Sequence, residues 1–504
     1  MIVGVAIDGE RIAAWQHSCI DALRAASGVD LRIVRIAAPP RRPRHRLARR
    51  LGGAVLAQSA VVPDAGVTLD GADIVLDLTA TGAVDANAPR GIWSFRLDRS
   101  DDAALPFARE IGHGAATIEI ALVCRREGRR ETLRSGRFGV GGSYGATLRL
   151  ALLEAARWPR TMLAALAAGM ESPPALDSPR APSLPPLEAA RFAGALGARA
   201  ASVVIERCFE VVEWNVGFLE GGPRALLNGA PLEIRWLPRP APMTFIADPF
   251  FVERDGQRVL FVEEFDYRRD RGVIDALVLD ANGGVAQRYR ALDIPTHLSY
   301  PCPLEIDGEL YLVPENCAGN EVALYRCVRF PDRWERARAI MPATDAIDTT
   351  LFRHDGRWWA LCTRFARGGN QALFAFHAAS IDGPWTAHAM NPIVVDVTSA
   401  RPAGKPFTVD GVLYRPGQDC SRSYGRGLAI ARIDVLSPSE YRETLVRRID
   451  PPARSRYHDG IHTVNFSGAD SVVDGKYVRY DWRKLASVAR KARTRIARAL
   501  AGRK

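Results

Sequence analysis

The sequence predicts a multidomain protein that combines an α/β domain, an all-β five-bladed β-propeller and a basic C-terminal helix. Three observations predict this fold class. The chain has 504 residues, more than one hydrophobic core usually organises. Short β-rich runs alternate with helical stretches in the first 170 residues. After residue 240 five Asp-Gly dipeptides, each between two apolar runs, recur at intervals of roughly 50 to 60 residues, which is a spacing typical of propeller blades.

The composition is that of a folded protein in a reducing compartment. Hydrophobic residues make up 47% and charged residues 25% of the chain, which leaves enough apolar surface to bury. The eight cysteines form no CxxC pair, which favours free thiols and predicts no structural zinc site. The N-terminus lacks the features of a signal peptide, and no segment reaches the roughly 18 apolar residues of a spanning helix. We therefore expect the protein in the cytoplasm or at the periphery of the inner membrane.

The formal charge of +11 is concentrated in two local patches, Arg41 to Arg50 and the last two dozen residues. This distribution predicts no nucleic-acid partner. Residues 482–504 place apolar side chains near one face of a helix, with Lys and Arg elsewhere. Such a helix is typical of a membrane-surface anchor. A terminal helix that docks on its own protein explains the pattern equally well.

The N-terminal α/β domain is predicted over residues 1–170. The strand candidates are Ile2–Ile7, Leu31–Ile36, Ile74–Leu78 and Ile118–Val123. The helix candidates are Ile12–Ala26 and Thr147–Ala168. Residues 171–186 are rich in Pro and Ser and predict an extended linker. Residues 187–239 are a connecting segment that includes a short helix. The propeller is predicted at 240–481 and the basic helix at 482–504.

Five Asp-Gly pairs, each a strong signal for a β-hairpin turn, lie between two apolar runs. The five pairs are Asp255-Gly256, Asp307-Gly308, Asp355-Gly356, Asp410-Gly411 and Asp474-Gly475. Flanking sequences such as PFFVERDGQRVLFVEE and TTLFRHDGRWWALCT have the composition and length of two strands. Five such units in register predict five blades.

The register within the repeat indicates where a site lies. Eight positions before the turn glycine, the first three units have Asp248, Tyr300 and Asp348. In a propeller this position opens the innermost strand, so we expect the three side chains to line the central channel. A buried carboxylate is costly without a partner, which favours a site over core packing. The alternative is that the aspartates cap strand starts by accepting bonds from backbone amides.

Other polar side chains cluster near the ends of the predicted strands. The candidates for substrate binding are Glu264, Tyr300, Arg401, Arg415, Gln418, Asp419, His458 and His462. Glu315 ends the inner hairpin of the second unit, where an apolar residue would be expected. His458 and His462 are four residues apart without a predicted helix, so their spacing does not predict a metal site. A contact to a substrate hydroxyl or phosphate is the better interpretation.

Two motifs resemble the five-bladed propeller of glycoside hydrolase family 43. They are Ala247-Asp248-Pro249 before VERDGQRVLFVEE and Ile347-Asp348 before TTLFRHDGRWW. The resemblance implies that Asp248 is the general base, that Asp348 tunes pKa values and that a Glu of the next blade is the general acid. At that place the sequence has Ser399-Ala400-Arg401-Pro402-Ala403-Gly404, without a carboxylate. Because glycoside hydrolysis ordinarily needs both an acid and a base, this departure argues against simple hydrolysis.

Longer motifs across 240–480 resemble the propeller domain of glucosamine inositolphosphorylceramide transferase and its bacterial relatives. These motifs are ADPFFVE, SYPCPLE, VPENCAGNEVALYR, FPDRWE, ARPAGKPF, YRPGQDCSRSYG and HDGIHTVNF. In the plant members of that family a separate glycosyltransferase domain follows the propeller. The resemblance therefore implies glycan or glycolipid assembly and leaves the propeller's own role open.

The N-terminal domain resembles the Rossmann-like formyltransferases of the methionyl-tRNA and sugar-nucleotide type. Gly91-Ile92-Trp93-Ser94-Phe95 lies where those enzymes carry an Asn and His motif, but Arg96-Leu97-Asp98 follows in place of His-Pro-Ser-Leu. Without an imidazole to handle the amine proton, formyl transfer is hard to support. We interpret the domain as a degenerate relative with a binding or docking role, and we expect no cofactor.

These observations favour a glycosyl-transfer enzyme of surface-polysaccharide or glycolipid biosynthesis that binds a sugar, glycan or glycolipid in the propeller channel. Asp248 would act as base towards an acceptor hydroxyl, and Asp348 would orient that hydroxyl. Arg401 and Arg415 would hold a phosphate or carboxylate. Three alternatives stay open: a glycoside hydrolase in which Glu315 replaces the missing acid, a non-catalytic glycan-binding scaffold, and a sugar formyltransferase that acts through the N-terminal domain.

Overall fold

The computed structural model describes most of the chain, and the described residues form two compact units. The described residues are 1–9, 11–36, 50–56, 58–62, 66, 68–79, 84–97, 105–167, 169, 186–229, 231–468 and 470–485. The units are Met1–Ala200 and Ala201–Lys504. The predicted linker up to residue 185 and the predicted basic helix beyond Leu485 lie outside the described residues. Among the helices that are described, none is long and apolar enough to cross a membrane.

The N-terminal unit is built on one six-stranded sheet. Its strands are β1 (Ile2–Asp8), β2 (Arg11–Ala13), β3 (Asp30–Ile36), β4 (Gln58–Val61), β5 (Ile74–Asp77), β6 (Ile92–Arg96), β7 (Thr117–Arg126) and β8 (Arg129–Gly139). Its helices are α1 (Ala14–Arg24), α2 (Ala108–Gly112), α3 (Tyr144–Ala155) and α4 (Trp158–Ala167), and α5 (Pro186–Phe209) begins in this unit. The sheet order is β3-β1-β5-β6-β7-β8, and β2 pairs with β4 outside it. The pairs among β3, β1, β5 and β6 are parallel, and the pairs that add β7 and β8 are antiparallel.

The predicted helix at 147–168 is two helices, α3 and α4. The break falls just before Pro159, which lacks a backbone N–H and is tolerated only in the first turn of a helix. The four predicted strands of this unit are present as β1, β3, β5 and β7. Strands β6 and β8 complete the sheet.

The second unit is almost entirely β-structure. Its first elements are β9 (Glu210–Leu219), α6 (Gly222–Asn228), β10 (Ile234–Trp236), β11 (Thr244–Arg254), β12 (Gln257–Asp266), β13 (Arg271–Leu279) and β14 (Val285–Leu292). The middle elements are β15 (Ser299–Ile306), β16 (Glu309–Glu315), β17 (Glu321–Arg329), β18 (Arg333–Pro342), β19 (Ala346–His354), β20 (Arg357–Arg364), β21 (Ala372–Ala378), β22 (Thr386–Ala387) and β23 (Val394–Val395). The last elements are β24 (Arg401–Pro402), β25 (Phe407–Val409), β26 (Val412–Asp419), β27 (Gly427–Leu436), β28 (Tyr441–Ile449), β29 (Val464–Ser467) and β30 (Asp470–Tyr480).

These strands form five antiparallel sheets, which confirms the five-bladed β-propeller. Blade one is β11-β12-β13-β14 and blade two is β15-β16-β17-β18. Blade three comprises β19 to β23, and blade four comprises β24 to β28. Blade five has the order β10-β9-β30-β29. In the first four blades the Asp-Gly pair is the inner hairpin turn, with positive φ at both residues as in a type I′ turn.

The prediction of a fifth Asp-Gly turn is wrong. Asp474 and Gly475 lie inside β30, where they pair with Val216 and Asn215 of β9. The fifth blade therefore takes its inner strands from the end of the unit and its outer strands from the start. The propeller includes β9 and β10, which the sequence analysis assigned to a connecting segment before residue 240.

The inner strands of the blades meet around a central channel. Strand β11 contacts β15 on one side and β29 on the other, while β19 contacts both β15 and β24. Between blades four and five, Val464 N–H donates to the Ala403 carbonyl over 2.8 Å. The ring is thereby closed through the inner strands, and apolar side chains fill the space between neighbouring blades.

Candidate functional site

Three inner strands carry the same distortion at the channel. Asp248, Tyr300 and Asp348 have φ values of 51°, 44° and 50°. Each lies where the register with the next strand shifts by one residue, which is a β-bulge. Residues other than glycine are strained in this left-handed region, and residues strained in this way cluster at functional sites. The eight-residue count from the turn glycine therefore leads to three equivalent bulges at the channel.

Asp248 is buried and held by side chains and backbone of two neighbouring blades, blade two and blade five. Its Oδ1 accepts a bond from Thr463 Oγ1 at 2.8 Å, and its Oδ2 accepts a bond from Tyr300 N–H at 3.1 Å. His462 Nε2 lies 3.5 Å from Oδ1. Burial, opposed by the His462 charge but reinforced by Asp348 and Asp474, raises the pKa of Asp248 to about 6. The carboxyl thus changes charge near neutral pH.

A second carboxylate, Asp474 of β30, orients His462. Its Oδ1 accepts the backbone N–H bonds of His462 and Thr463, and its Oδ2 lies 2.6 Å from His462 Nδ1. Burial alone would lower the pKa of His462, but Asp474 and Asp248 raise it. The ring stacks on Trp214 of β9, with the centroids 4.0 Å apart. Trp214 and Asp474 were not predicted as site residues.

In the described part of the chain, Asp248, His462 and Asp474 are close enough together to be considered as metal ligands. Their possible ligand atoms all lie within 4.8 Å of one another. The 2.6 Å between His462 Nδ1 and Asp474 is the spacing of a direct charge-assisted contact. Asp474 is moreover occupied by three backbone amides, those of Asp248, His462 and Thr463. We interpret the group as an ion-paired network that orients an imidazole.

Asp348 is neutralised by Arg401. Arg401 Nε donates to Asp348 Oδ2 over 2.7 Å, and Gln418 Nε2 donates to the same oxygen over 3.1 Å. Burial raises the pKa of Asp348, against the opposing effect of Arg401. The guanidinium also donates to Asn370 and lies 4.8 Å from the ring centroid of Tyr424. The Arg401 charge is therefore already paired within the protein.

Glu315 lies beside these groups at the end of β16. Its two oxygens accept bonds from Ser299 Oγ and Cys317 N–H, each at 3.1 Å. Burial raises the pKa of Glu315, while Arg401 and the two donors oppose that rise. The structure therefore brings the three predicted catalytic residues, Asp248, Asp348 and Glu315, into one electrostatically coupled cluster.

Glu263, and not the predicted Glu264, faces this cluster. Glu263 is 7% exposed. Its burial, and to a smaller extent the neighbouring carboxylates of the cluster, raise its pKa well above the usual range. Glu264 points to the other face of blade one, where Arg288 and Arg290 pair with it at 2.7 and 2.5 Å. Successive residues of a strand face opposite sides, so only one of the two can reach the channel.

Two predicted binding residues have structural roles instead. Tyr300 is fully buried, and its hydroxyl bonds to Thr350 Oγ1 and accepts from Gly404 N–H, each at 2.8 Å. Arg415 is 2% exposed and donates to both oxygens of Glu443 at 2.6 and 2.7 Å. Both side chains are thus saturated with protein partners, and neither is presented to a ligand.

Two further predicted residues lie away from the channel. Asp419 follows Gln418 on β26 and faces the opposite side, where Arg448 lies 3.7 Å away. His458 is exposed, and its ring contacts Ser455 and Asp459 rather than any channel residue. The structure does not bring His458 to His462, because His462 is buried beside Asp248.

The exposed edge of the site carries aromatic rings. Tyr424 is 41% exposed, yet its ring packs against His462 with centroids 5.2 Å apart and against Arg401. On the side of blade one, the His297 side chain is 37% exposed and its Nε2 lies 3.5 Å from Glu263. A cluster of polar groups flanked by an exposed aromatic ring is the arrangement common in small-molecule sites.

The N-terminal unit offers no comparable cluster in its described part. The segment 91–95 lies at β6, and the described histidines of this unit are His17 and His113. His17 lies 2.9 Å from Asp21 on its own helix, and His113 lies 2.8 Å from Glu188. Neither imidazole lies at β6, which agrees with the missing motif. The resemblance to formyltransferases stays a prediction.

The propeller region is similar to part of known proteins. Residues 238–467 match the family model described as "Glucosamine inositolphosphorylceramide transferase 1, N-terminal". A stretch of 211 residues is 36% identical to glucosamine inositolphosphorylceramide transferase 1 of Oryza sativa subsp. japonica and 35% identical to that of Arabidopsis thaliana. The stretch covers 41% of this chain and 28% of each relative. The chain thus spans less than a third of the curated relatives it matches.

Solved structures of similar architecture are more distant. The GH43_1 enzyme from Xanthomonas citri aligns with a TM-score of 0.37 and 14% identity over 46% of this chain and 82% of that one. The exo-β-1,3-galactanase from Phanerochaete chrysosporium aligns with a TM-score of 0.35 and 11% identity over 48% and 65% of the two chains. The architecture assigned here rests on the strand pairing described above.

Proposed function

We propose that the propeller channel is the sugar site of a carbohydrate-active enzyme of glycan or glycolipid biosynthesis, in which Asp248 is the base that activates an acceptor hydroxyl. The observation that carries this proposal is the setting of Asp248. It is 4% exposed and held by blades two and five, and its surroundings raise its pKa to about 6. A base with such a pKa is deprotonated at neutral pH and still accepts a proton readily. The similarity to the N-terminal part of a glycolipid transferase supports the same substrate class.

The charges of the site favour a neutral ligand. Among the described residues the cluster contains five buried or nearly buried carboxyls and two cationic groups. These are Asp248, Glu263, Glu315, Asp348 and Asp474, with Arg401 and His462. Because Arg401 is paired with Asp348, and His462 with Asp474, neither cation of this cluster is free to bind a phosphate or carboxylate. We therefore replace the expected anionic ligand by an uncharged glycan.

Hydrolysis is the second candidate, because it needs the same base with water in place of the acceptor. The raised pKa of Glu315 is the observation in its favour, since a protonated Glu315 would supply the missing acid. Release of free sugar in the absence of an acceptor, and no transfer in its presence, would identify this activity.

Replacing Asp248 by Asn tests the role of the base. A panel of methyl glycosides of neutral hexoses and N-acetylated amino sugars would be examined for binding by calorimetry and for transfer to alcohols. The variant should bind the selected glycoside as the wild type does, but turn it over about 10² to 10⁴ times more slowly, because Asn cannot accept a proton. Asp255→Asn is the matched control, since Asp255 lies in the turn of the same hairpin with its side chain 78% exposed.

Two outcomes would contradict the proposal. If the wild type binds none of the glycosides, the channel is not a sugar site of this kind. If both aspartate variants retain full turnover, Asp248 only supports the fold.

A further inference from the structure

Glu263 is a buried carboxyl that has no cationic or amide partner in the described part of the chain. It lies directly opposite Ala247 in the ladder of β11 and β12, and therefore beside Asp248. His297 Nε2 lies 3.5 Å from its Oε1. We propose that Glu263, oriented by His297, is the proton donor of the channel site and takes the place of the acid missing from blade four. This inference rests on the proposed function and names its second catalytic residue.

His297 is fixed in one orientation by the backbone. Gly272 N–H donates to His297 Nδ1 over 2.8 Å, so in the neutral ring the proton is on Nε2 and faces Glu263 Oε1. Burial lowers the pKa of His297, which keeps the ring neutral. A Cβ on Gly272 would lie 2.6 Å from Glu263 Oε1 and 2.7 Å from His297 Cε1. The close packing holds Oε1 towards His297 and leaves Oε2 for the proton.

The surroundings separate the proton affinities of Glu263 and Asp248. Burial and the neighbouring carboxylates all raise the pKa of Glu263, and no group opposes them among the main causes. For Asp248, His462 and the Thr463 hydroxyl oppose burial, and the pKa reaches only about 6. Two neighbouring carboxyls whose pKa values differ in this way have the properties of an acid and a base. The titratable groups that face this pair are Tyr267, His297, Tyr300, Glu315, Asp348, Tyr424, His462 and Asp474, and Asp270 and Arg271 also act on His297.

Glu315 is less suited to donate a proton. The bonds that it accepts from Ser299 and Cys317 stabilise its ionised form, as does the charge of Arg401. Among the described residues, no hydroxyl or backbone amide donates to Glu263. The two glutamates therefore differ in hydrogen bonding as well as in position.

The reaction step is balanced with a glycoside and a hydroxyl compound, which is either an alcohol acceptor or water. The bond between the anomeric carbon and the glycosidic oxygen breaks, and its electron pair stays on the oxygen. Glu263 gives its proton to that oxygen. The attacking hydroxyl forms the new bond to the anomeric carbon and gives its proton to Asp248. Solvent then returns a proton to Glu263 along the exposed His297 ring, and Asp248 releases one.

The test compares Glu263→Gln with Glu264→Gln, two substitutions of adjacent glutamates on opposite faces of β12. The probes are a methyl glycoside and a 2,4-dinitrophenyl glycoside of the sugar that binds, because the dinitrophenolate leaves without protonation. Glu263→Gln should lose about 10²- to 10⁴-fold in turnover of the methyl glycoside and little with the dinitrophenyl glycoside. Its rate should also no longer fall at high pH, where the wild type loses the Glu263 proton. Glu264→Gln should match the wild type in all three respects.

Equal losses with both glycosides, or loss of the alkaline limb only in Glu315→Gln, would overturn the proposal. A measurement without turnover applies in either case. In protein labelled with ¹³C at aspartate and glutamate carboxyls, the resonance that disappears in Glu263→Gln should titrate at higher pH than the resonance that disappears in Asp248→Asn. An ordinary glutamate pKa for that resonance would also overturn the proposal. A wild type with the high-pH resonance but no turnover of either glycoside would contradict the proposed function instead.

Discussion

Asp248 combines two unfavourable features that the surrounding residues offset. Its backbone is in the left-handed region, which costs a non-glycine residue on the order of 1 to 3 kcal/mol. Its side chain is a carboxyl removed from water. The bulge is held because Asp248 N–H donates to Asp474, while its own carboxyl accepts the Tyr300 amide. The residue is retained in a costly state because the neighbouring blades hold it at both ends.

The pKa of Asp248 predicts how stability depends on pH. An unfolded Asp ionises near pH 4, whereas folded Asp248 ionises at about 6. Below pH 4 both states are protonated and the shift has no effect. As the pH rises from about 4 to 6 the unfolded state ionises first, so the free energy of unfolding falls, by roughly 3 kcal/mol in total. Asp248→Asn lacks this loss. Its free energy of unfolding relative to that of the wild type should therefore rise by about the same amount between pH 4 and pH 7.5.

Urea unfolding of the wild type and Asp248→Asn at both pH values measures this effect. The difference between the two pH values removes the constant cost of the bonds that Asn does not make. A variant whose effect on stability is the same at pH 4 and pH 7.5 would show that Asp248 ionises at an ordinary pKa.

The sequence located some of these residues better than others. Asp248, Tyr300 and Asp348 were placed correctly relative to the turns because the hairpin and the bulge have the same length in three blades. Glu263 and Glu264 could not be distinguished. The bulge in β11 adds one residue against β12, and a shift of one residue exchanges the two faces of a strand.

At the scale of elements, the segment Ser421–Arg426 between β26 and β27, here called the Tyr424 loop, determines the open side of the site. Lys476 Nζ donates to Ser423 Oγ over 3.1 Å and to the Tyr424 carbonyl, and Ile461 N–H donates to the Gly425 carbonyl over 3.0 Å. The loop is thus fixed to blade five, and Tyr424 packs against His462 and Arg401 while part of its surface stays exposed. A rigid loop presents an aromatic surface to a ligand at a low entropic cost.

Gly425→Ala should disturb this loop more than a comparable glycine substitution elsewhere. Gly425 has φ of +61°, and an added Cβ would lie 2.7 Å from His462 Cβ and 2.8 Å from Trp214. Gly356→Ala is the control, because Gly356 has φ of +73° with nothing within 4 Å of the added atom. The control should lose about 1 to 2 kcal/mol of stability from the backbone alone. Gly425→Ala should lose a further 1 to 3 kcal/mol from overpacking and should weaken glycoside binding.

Urea unfolding and calorimetric titration of both variants provide the measurements. Equal losses of stability, with binding retained in both, would mean that the loop adapts to the extra atom and does not hold the site in place.

At the scale of the whole molecule, the propeller is closed by a strand from near the start of the second unit that pairs with a strand from near its end. Strand β9 pairs with β30 over ten residue pairs, from Glu210 with Tyr480 to Leu219 with Ser471. Local patterns in the sequence could predict hairpins, because their strands are adjacent in the chain. They could not predict this pairing, since the partners are separated by about 250 residues and the Asp-Gly of β30 imitates a turn. Trp214 was missed as a site residue for the same reason.

The closure predicts which fragment of the protein folds. A fragment of residues 201–485 contains all five blades and should fold cooperatively. A fragment of residues 240–485 starts at the boundary predicted from the sequence and lacks β9. The edge of β30 that pairs with β9 would be left without a hydrogen-bonding partner, so this fragment should not reach the native state. Circular dichroism and urea unfolding of the two fragments would measure this. A cooperative, native-like transition in the shorter fragment would contradict the assigned role of β9.

The pairing of Glu210 with Tyr480 also fixes where the polypeptide joins the ring, because the first and last strands of the propeller begin and end side by side. A closed body with neighbouring ends is a cassette: it can be inserted into a longer polypeptide at one point without opening any blade. Such insertion leaves the channel and its cluster of carboxyls unchanged whatever sequence is joined to either end. The same cassette can therefore be carried by polypeptides of different length.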